Sequence, residues 1–485
     1  MLFNSYLFIF IFLPLTYLIY YRLINKKKAS KESILILLII CSFLFYSYWE
    51  FNRIFILFLS LLVNYFFGKA IIRIKNNKKK LLILGIFFNL SVLIYYKYKN
   101  FFIVNFTKLI NMNPEIDQII LPLAISFFTF QQISYLVEIY KNKIKKPNLL
   151  YYLFFITFFP HLIAGPMVLY NQISNQLKNN KILKLKFDNI NFAICIFFIG
   201  LFKKTVLGEE FGYWANIGYN KSIDNLTLIE SWQTSLAYSL QIYFDFSAYS
   251  DMAYGLALLF NIKYIQNFNS PYKATNIQDF WRRWHISLYI FFKRYIYLPL
   301  GGNKRGQLRT VFNIFLTFLL CGLWHGASWM FITWGAIHAL GLIFYRFFLL
   351  TKIRINNIFS CFITFNFVNF SWIFFRSENF EDAKKIITGM IGLNEIGTVD
   401  FFIYRFIDEN LTNNRIKFFQ NIEGGYSSIL TILVGLFVIF FTKNSFQLCQ
   451  KNKEKKIAFY ILIGFVIFCG ISFINKSSQF IYFNF

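Results

Sequence analysis

Apolar runs of 18 or more residues recur along the whole chain, separated by short segments rich in Lys and Arg. A helix needs roughly 20 such residues to cross the hydrocarbon core, so the pattern predicts an all-α, polytopic transmembrane bundle of about 11–13 spans. The basic loops set its orientation, because Lys and Arg are retained on the cytoplasmic side. Segments 22–31, 73–80 and 443–456 carry five basic residues each, and 141–146 carries four. With these inside, stretch 2–21 runs inward and 34–72 is a hairpin turning near 49–52. Then 81–96 goes out, 105–117 is external and 121–140 comes back.

The middle of the chain breaks this regularity. Stretch 151–170 contains Pro160, Gly165 and Pro166 and is followed by the basic run 178–186. A re-entrant segment accommodates both, and irregular backbone at membrane depth is tolerated only inside protein or beside a wet cavity. From 232 to 345 spans follow closely and hold more polar residues than elsewhere. A soluble-looking stretch, 376–426, precedes two final spans, and the tail 476–485 falls outside. There is no internal repeat, so the expectation is one integral-membrane domain, 1–485, with a motif core at 241–338.

Composition agrees: 57% of 485 residues are hydrophobic, 22% aromatic and only 15% charged, which a water-soluble globule could not bury. The net charge of +28 lies in inter-span loops, so it indicates orientation against membrane lipids and not nucleic-acid binding. Cys41, Cys195, Cys321, Cys361, Cys449 and Cys469 have neither disulfide-framework nor zinc spacing. Stretch 2–21 has no basic n-region or small-residue cleavage site and is read as a retained span.

Two clusters could carry chemistry. In the first, 279–288, Asp279 and Arg283 are spaced as a helical ion pair, and Trp281, Trp284, His285 and Leu288 would share one face of a continuous helix. An interfacial belt of Trp and Arg is the competing reading. The second, Trp324-His325-Gly326-Ala327, lies in the apolar run 311–332, where an ionisable side chain is costly without a purpose. Imidazole can take and return a proton near neutrality, and Gly326 and Ala327 leave room beside it. His338 would sit roughly 20 Å from His325 on one continuous helix, away from its reaction centre. His161, between Pro160 and Gly165, reads as structural. Without i, i+4 pairing these histidines predict no metal site. Gln241, Asp245 and Asp251 interrupt the run 236–260 and either orient an imidazole or bond neighbouring helices. The turn 301–306 is a basic inter-helix turn or a phosphate site; it is not a P-loop. A Cys321 nucleophile is disfavoured in hydrocarbon.

The blocks around His285 and His325, with 243–253 and 299–302, resemble the membrane-bound O-acyltransferase superfamily. The likeness is to its bacterial branch that acylates alginate, peptidoglycan or teichoic acid. The resemblance implies a ring of spans around a central tunnel, with His325 as the superfamily's histidine and His285 at its second polar position, and Trp324 supporting them. Ala339 stands where that pattern has Gly, which weakens any carry-over of a role to His338. The tail 480–485 resembles a terminal aromatic motif of the branch, so Tyr482 is either an acyl relay or an interfacial anchor.

The implied protein is a multi-pass enzyme of the inner (cytoplasmic) membrane with no bound cofactor. It would pass an acetyl group from acetyl-CoA or an acyl carrier to a polysaccharide acceptor, through an extracytoplasmic esterase-like partner. The alternative is a transporter or flippase of a polysaccharide precursor.

Overall fold

The computed structural model describes residues 1–26, 30–112, 119–394, 421–422, 424–450 and 457–476. Tyr482 lies outside them. Among the described residues the elements are all helical.

The N-terminal helices fall on the expected apolar runs, except that the one expected at 81–96 continues to Leu109, into the stretch 105–117 read as external. α1 (Leu13–Asn25) continues a π-helical turn (Phe8–Phe12), and α2 (Lys31–Glu50) and α3 (Ile54–Arg73) fold back on each other through Phe51–Arg53. α4 (Lys78–Leu93) and α5 (Lys99–Leu109) form one span interrupted by a π-helical turn at Ile94–Tyr98, and α6 (Ile125–Tyr140) returns. Next come α7 (Leu149–Thr157), α8 (Phe159–Leu162) and α9 (Tyr170–Lys178). At nine residues α7 is about 14 Å long, too short to cross a core of about 30 Å. Residues 154–170 are all buried, so this re-entrant backbone is enclosed by protein, as its lack of lipid-compatible hydrogen bonding requires.

α10 (Phe187–Phe202) continues through a π-helical turn, Lys203–Gly208, into α11 (Glu209–Gly218). The axis of the molecule is α12 (Leu228–Leu259), 32 residues long and started by a capping box between Thr227 and Glu230. Its residues 237–253 are all buried. A helix surrounded by protein can carry polar groups that a lipid-facing one cannot.

α13 (Ile277–Arg283) and α14 (Ile286–Phe292) lead through the π-helical turn Lys293–Tyr297 to the long hairpin α15 (Gln307–His325) and α16 (Trp329–Phe348). α17 (Asn357–Arg376) and α18 (Phe380–Met390) follow, then α19 (Tyr426–Phe441), α20 (Ser445–Gln450) and α21 (Ile457–Ser472). α10, α11, α17, α18 and α19 pack around α12. Among the described residues, seven stretches are long and apolar enough to cross a membrane, and one, Lys31–Arg73, holds both α2 and α3. Phe87, Phe344, Ile358 and Phe441 stand exposed on the outside of the bundle, where lipid would cover them.

Two expectations of continuous helix fail. Segment 279–288 is not one helix: α13 ends at Arg283, Trp284 is extended, and His285 has φ 43° and ψ 55° before α14 begins. Trp281, Trp284, His285 and Leu288 therefore do not form a single helical stripe. Run 311–332 is likewise broken, because Gly326 is extended and the chain reverses into α16. The hairpin closes tightly, since a Cβ on Gly322 would collide with the Phe331 carbonyl and one on Gly335 with the Phe318 carbonyl. Small residues at such crossings let membrane helices approach.

Candidate functional site

His325 is the last residue of α15 and is buried. The helix stops there because Gly326 adopts φ −163° and ψ 154°, and a Cβ on Gly326 would run into the Phe331 ring. The imidazole is set among aromatic rings: Trp324 at 4.8 Å, Trp334 at 5.1 Å and Phe375 at 5.1 Å between centroids. Trp324 in turn stacks on Phe130 (5.7 Å), and its indole N–H is buried with no hydrogen-bond acceptor among the described residues.

His285 is buried in a left-handed conformation at the start of α14. A non-glycine residue held there costs of order 1 kcal/mol or more and needs support from its surroundings. Asn267 supplies it. Its Oδ1 accepts from the Ser287 backbone N–H (3.0 Å) and the Ser287 hydroxyl (2.9 Å), and its backbone oxygen accepts from Ile286 N (3.0 Å). The same Oδ1 lies 3.3 Å from His285 Nδ1. Because a backbone N–H donates to that atom, it is an acceptor, and Nδ1 must carry the proton. His285 Nε2 then holds a bare lone pair, buried and without a partner among the described residues. The Phe246 ring packs nearly perpendicular to the imidazole, 4.7 Å between centroids.

His285, Lys97 and His338 each act electrostatically on His325. His338 comes closer than a continuous helix would allow because of the reversal at Gly326, but Trp334 stands between the rings, 4.8 Å from His338. Both nitrogens of His338 are engaged, Nδ1 by the Trp281 indole N–H (3.3 Å) and Nε2 by Ser371 Oγ (2.9 Å). His161 is similarly held between Tyr264 Oη (2.6 Å) and the Phe155 carbonyl (2.8 Å). Both rings are therefore held by the surrounding protein.

The carboxylates of α12 meet lysines. Asp245 pairs with Lys204 at 2.8 Å and Asp251 with Lys203 at 2.8 Å, and Lys204 also reaches Glu209 at 3.1 Å. Both lysines sit on the π-helical turn after α10, so the pairs tie that span to α12. Gln241 packs against Gly212 of α11. Asp279 and Arg283 form the expected pair at 2.9 Å.

Sequence reasoning missed Lys97, Asn267, Lys203 and Lys204. The three lysines had a signal, since each interrupts an apolar span. Asn267, in a polar loop, had none.

Two cavities touch α15 near its C-terminal end, one of them lined by His325 and the other by Cys321. A small one of about 80 Å³ lies at the start of α6 and is lined by Lys97, Ser126, Phe127, Ala164, Trp324 and His325. A larger one of about 370 Å³ is lined by Trp281, Arg282, Lys293, Phe318, Cys321 and Arg346, among others. The basic loops put the start of α6 toward the outside and the end of α16, with Arg346, toward the cytoplasm. The turn 301–306 contributes Asn303 to the inner cavity, and Asn313 Nδ2 donates to the Gly302 carbonyl at 2.8 Å. Among the described residues no three His, Cys, Asp or Glu side chains converge as metal ligands.

Comparison with known proteins follows the same residues. The family model of the membrane-bound O-acyltransferases matches residues 43–379. The peptidoglycan O-acetyltransferase of Helicobacter pylori is 38% identical over 100% of this chain and 98% of its own length. A probable alginate O-acetylase of Pseudomonas aeruginosa is 36% identical over 80% of this chain and 75% of its own. The teichoic acid D-alanyltransferase of Bacillus subtilis is 30% identical over 53% of this chain and 68% of its own.

Proposed function

The chain belongs to the membrane-bound O-acyltransferase family, and from that premise we propose that it carries acetyl groups from a cytoplasmic thioester to hydroxyls of a cell-surface polysaccharide, with His325 as the general base. The observation that carries this is that His325 lines the outer cavity while Cys321, one turn earlier on α15, lines the inner one. The two cavities are then the ends of one route, the tunnel that the resemblance implies.

The donor occupies the inner cavity. Arg282, Lys293 and Arg346 suit the phosphates of a pantetheine-bearing thioester, and Trp281, Phe318 and Leu288 suit its apolar arm. Acetyl-CoA and an acetylated carrier protein present the same arm. The acceptor hydroxyl comes from the outer cavity. His325 takes its proton as the oxygen attacks the thioester carbon; the carbon–sulfur bond then breaks, and the imidazolium returns the proton to the departing thiolate. Base catalysis of this kind supplies about 10²- to 10⁴-fold, and positioning the two substrates supplies more. His285, with Nδ1–H committed to Asn267, offers a lone pair and no donor, so it orients the acceptor hydroxyl and does not bind an oxyanion.

The polymer we favour is peptidoglycan, because the Helicobacter pylori relative of that name matches this chain over its full length; an alginate-like exopolysaccharide is the next candidate. The acetyl group reaches the polymer either directly or through Tyr482 and an extracytoplasmic esterase-like acetyltransferase. Membership of an acyltransferase family leaves the flippase expectation without support. Thioester turnover tests the reading. Inverted membrane vesicles given acetyl-CoA or an acetylated carrier protein should release free thiol with the wild type and not with His325→Ala, and equal release from both would refute the assignment.

A further inference from the structure

The π-helical turn Ile94–Tyr98 brings two adjacent polar side chains to the end of α15. Lys97 Nζ donates to the carbonyl oxygens of Trp324 (2.6 Å) and His325 (3.0 Å), and the Tyr98 hydroxyl donates to that of Leu323 (2.7 Å). A third Lys97 donor lies 3.4 Å from Ser126 Oγ, so all three hydrogens of the ammonium have acceptors. The last carbonyls of a helix have no partner within it, and at membrane depth no bulk water serves them. A cation there also meets the negative end of the helix dipole.

Satisfying carbonyls does not by itself call for a buried charge, which is expensive in a membrane protein. The two peptide groups that Lys97 bridges are more specific. The Trp324 carbonyl belongs to the peptide before the His325 α-carbon, and the His325 carbonyl to the peptide after it. One ammonium therefore fixes both backbone torsions of this single residue. Lys97 and His325 also line the same outer cavity. A π-helical turn shifts the register of a span locally, and such turns cluster at functional sites.

We propose that Lys97, assisted by Tyr98, is the positioning residue of His325: the ammonium clamps the peptides on either side of it so that the imidazole is held at the mouth of the outer cavity. This rests on the reading of His325 as the base. The clamp contributes geometry and not substrate affinity, so its loss should appear in turnover and not in KM.

The test compares Lys97→Met, Lys97→Arg, Tyr98→Phe and His325→Ala in membranes at matched protein levels, with acetyl-CoA or acetylated carrier protein as donor, whichever the wild type turns over. A displacement of about 1 Å can cost 10²-fold. Lys97→Met should thus lose on the order of 10²-fold in kcat with KM for the donor within about twofold. Lys97→Arg, which keeps the cation and its donors, should recover about tenfold of that loss. Should Lys97→Met fail to reach the membrane, Tyr98→Phe carries the test, with a loss of about threefold or more at unchanged KM. Wild-type kcat in Lys97→Met or Tyr98→Phe, a loss expressed in KM, or no recovery by arginine would overturn the proposal. Inactivity of His325→Ala beside any of these leaves the base assignment standing; activity of His325→Ala overturns that assignment first.

Discussion

Cys321 and His325 lie one turn apart on α15 and line different cavities. The histidine belongs to the outer cavity, where an acceptor would arrive, and the thiol to the inner one, where a donor would. On the proposed function the reacting thioester carbon lies near the last turn of α15, and Cys321 is a wall residue with no covalent role. Cys321→Ala should therefore keep thioester turnover within about threefold, whereas Cys321→Phe, which fills the inner cavity, should raise donor KM by tenfold or so, following the cost of overpacking at about 1–3 kcal/mol. Loss of turnover in the alanine variant at normal protein level would point to a nucleophilic thiol instead.

Asn267 fixes His285 through three contacts on a single side-chain oxygen. Asn267→Ala removes that acceptor and leaves buried donors unmatched, which costs roughly 1–3 kcal/mol. The variant should melt earlier in detergent and lose turnover by more than its folded fraction explains, since the His285 tautomer is no longer specified. Turnover per folded molecule equal to wild type would show that the His285 orientation is irrelevant to the reaction.

The lysine pairing of Asp245 separates the two roles open to it. Breaking a buried pair from one side costs about 3–5 kcal/mol, while replacing both partners with apolar groups is often neutral. Lys204→Met alone should lower the amount of folded protein sharply, and adding Asp245→Leu should restore part of it. If the pair only ties α10 to α12, the double variant turns over thioester normally. A folded and inactive double variant would instead return Asp245 to the reaction.

His338 and His161 have both ring nitrogens bonded within the protein. His338→Gln should reduce thermal stability by about 1–3 kcal/mol and leave turnover per folded molecule within about threefold. A selective loss of turnover would place His338 in the chemistry beside His325.

Much of the bundle was legible in the sequence because bilayer physics acts on local patterns. The basic loops, the turn at Phe51–Arg53 and the enclosed segment near Pro160 all follow from where apolar runs start, stop and are interrupted. The Asp279–Arg283 pair followed from helical spacing. The break at Trp284–His285 did not, because the local residues continue a helical pattern and the group that stabilises the break, Asn267, lies 18 residues upstream. The same limit hid the lysine pairs of Asp245 and Asp251 and the clamp from Lys97 to the end of α15, 228 residues away along the chain. His285 and His325 could be chosen singly as costly groups; their electrostatic interaction depends on the chain breaks at His285 and Gly326, which no local pattern announces.

The central claim is tested most directly by the acetate that mild alkali releases from cell-wall and exopolysaccharide fractions of cells carrying wild type or His325→Ala at equal membrane levels. The account predicts that ester-linked acetate disappears from one fraction in the variant, the peptidoglycan fraction first, with the other unchanged. Equal acetate in every fraction of both strains would contradict it.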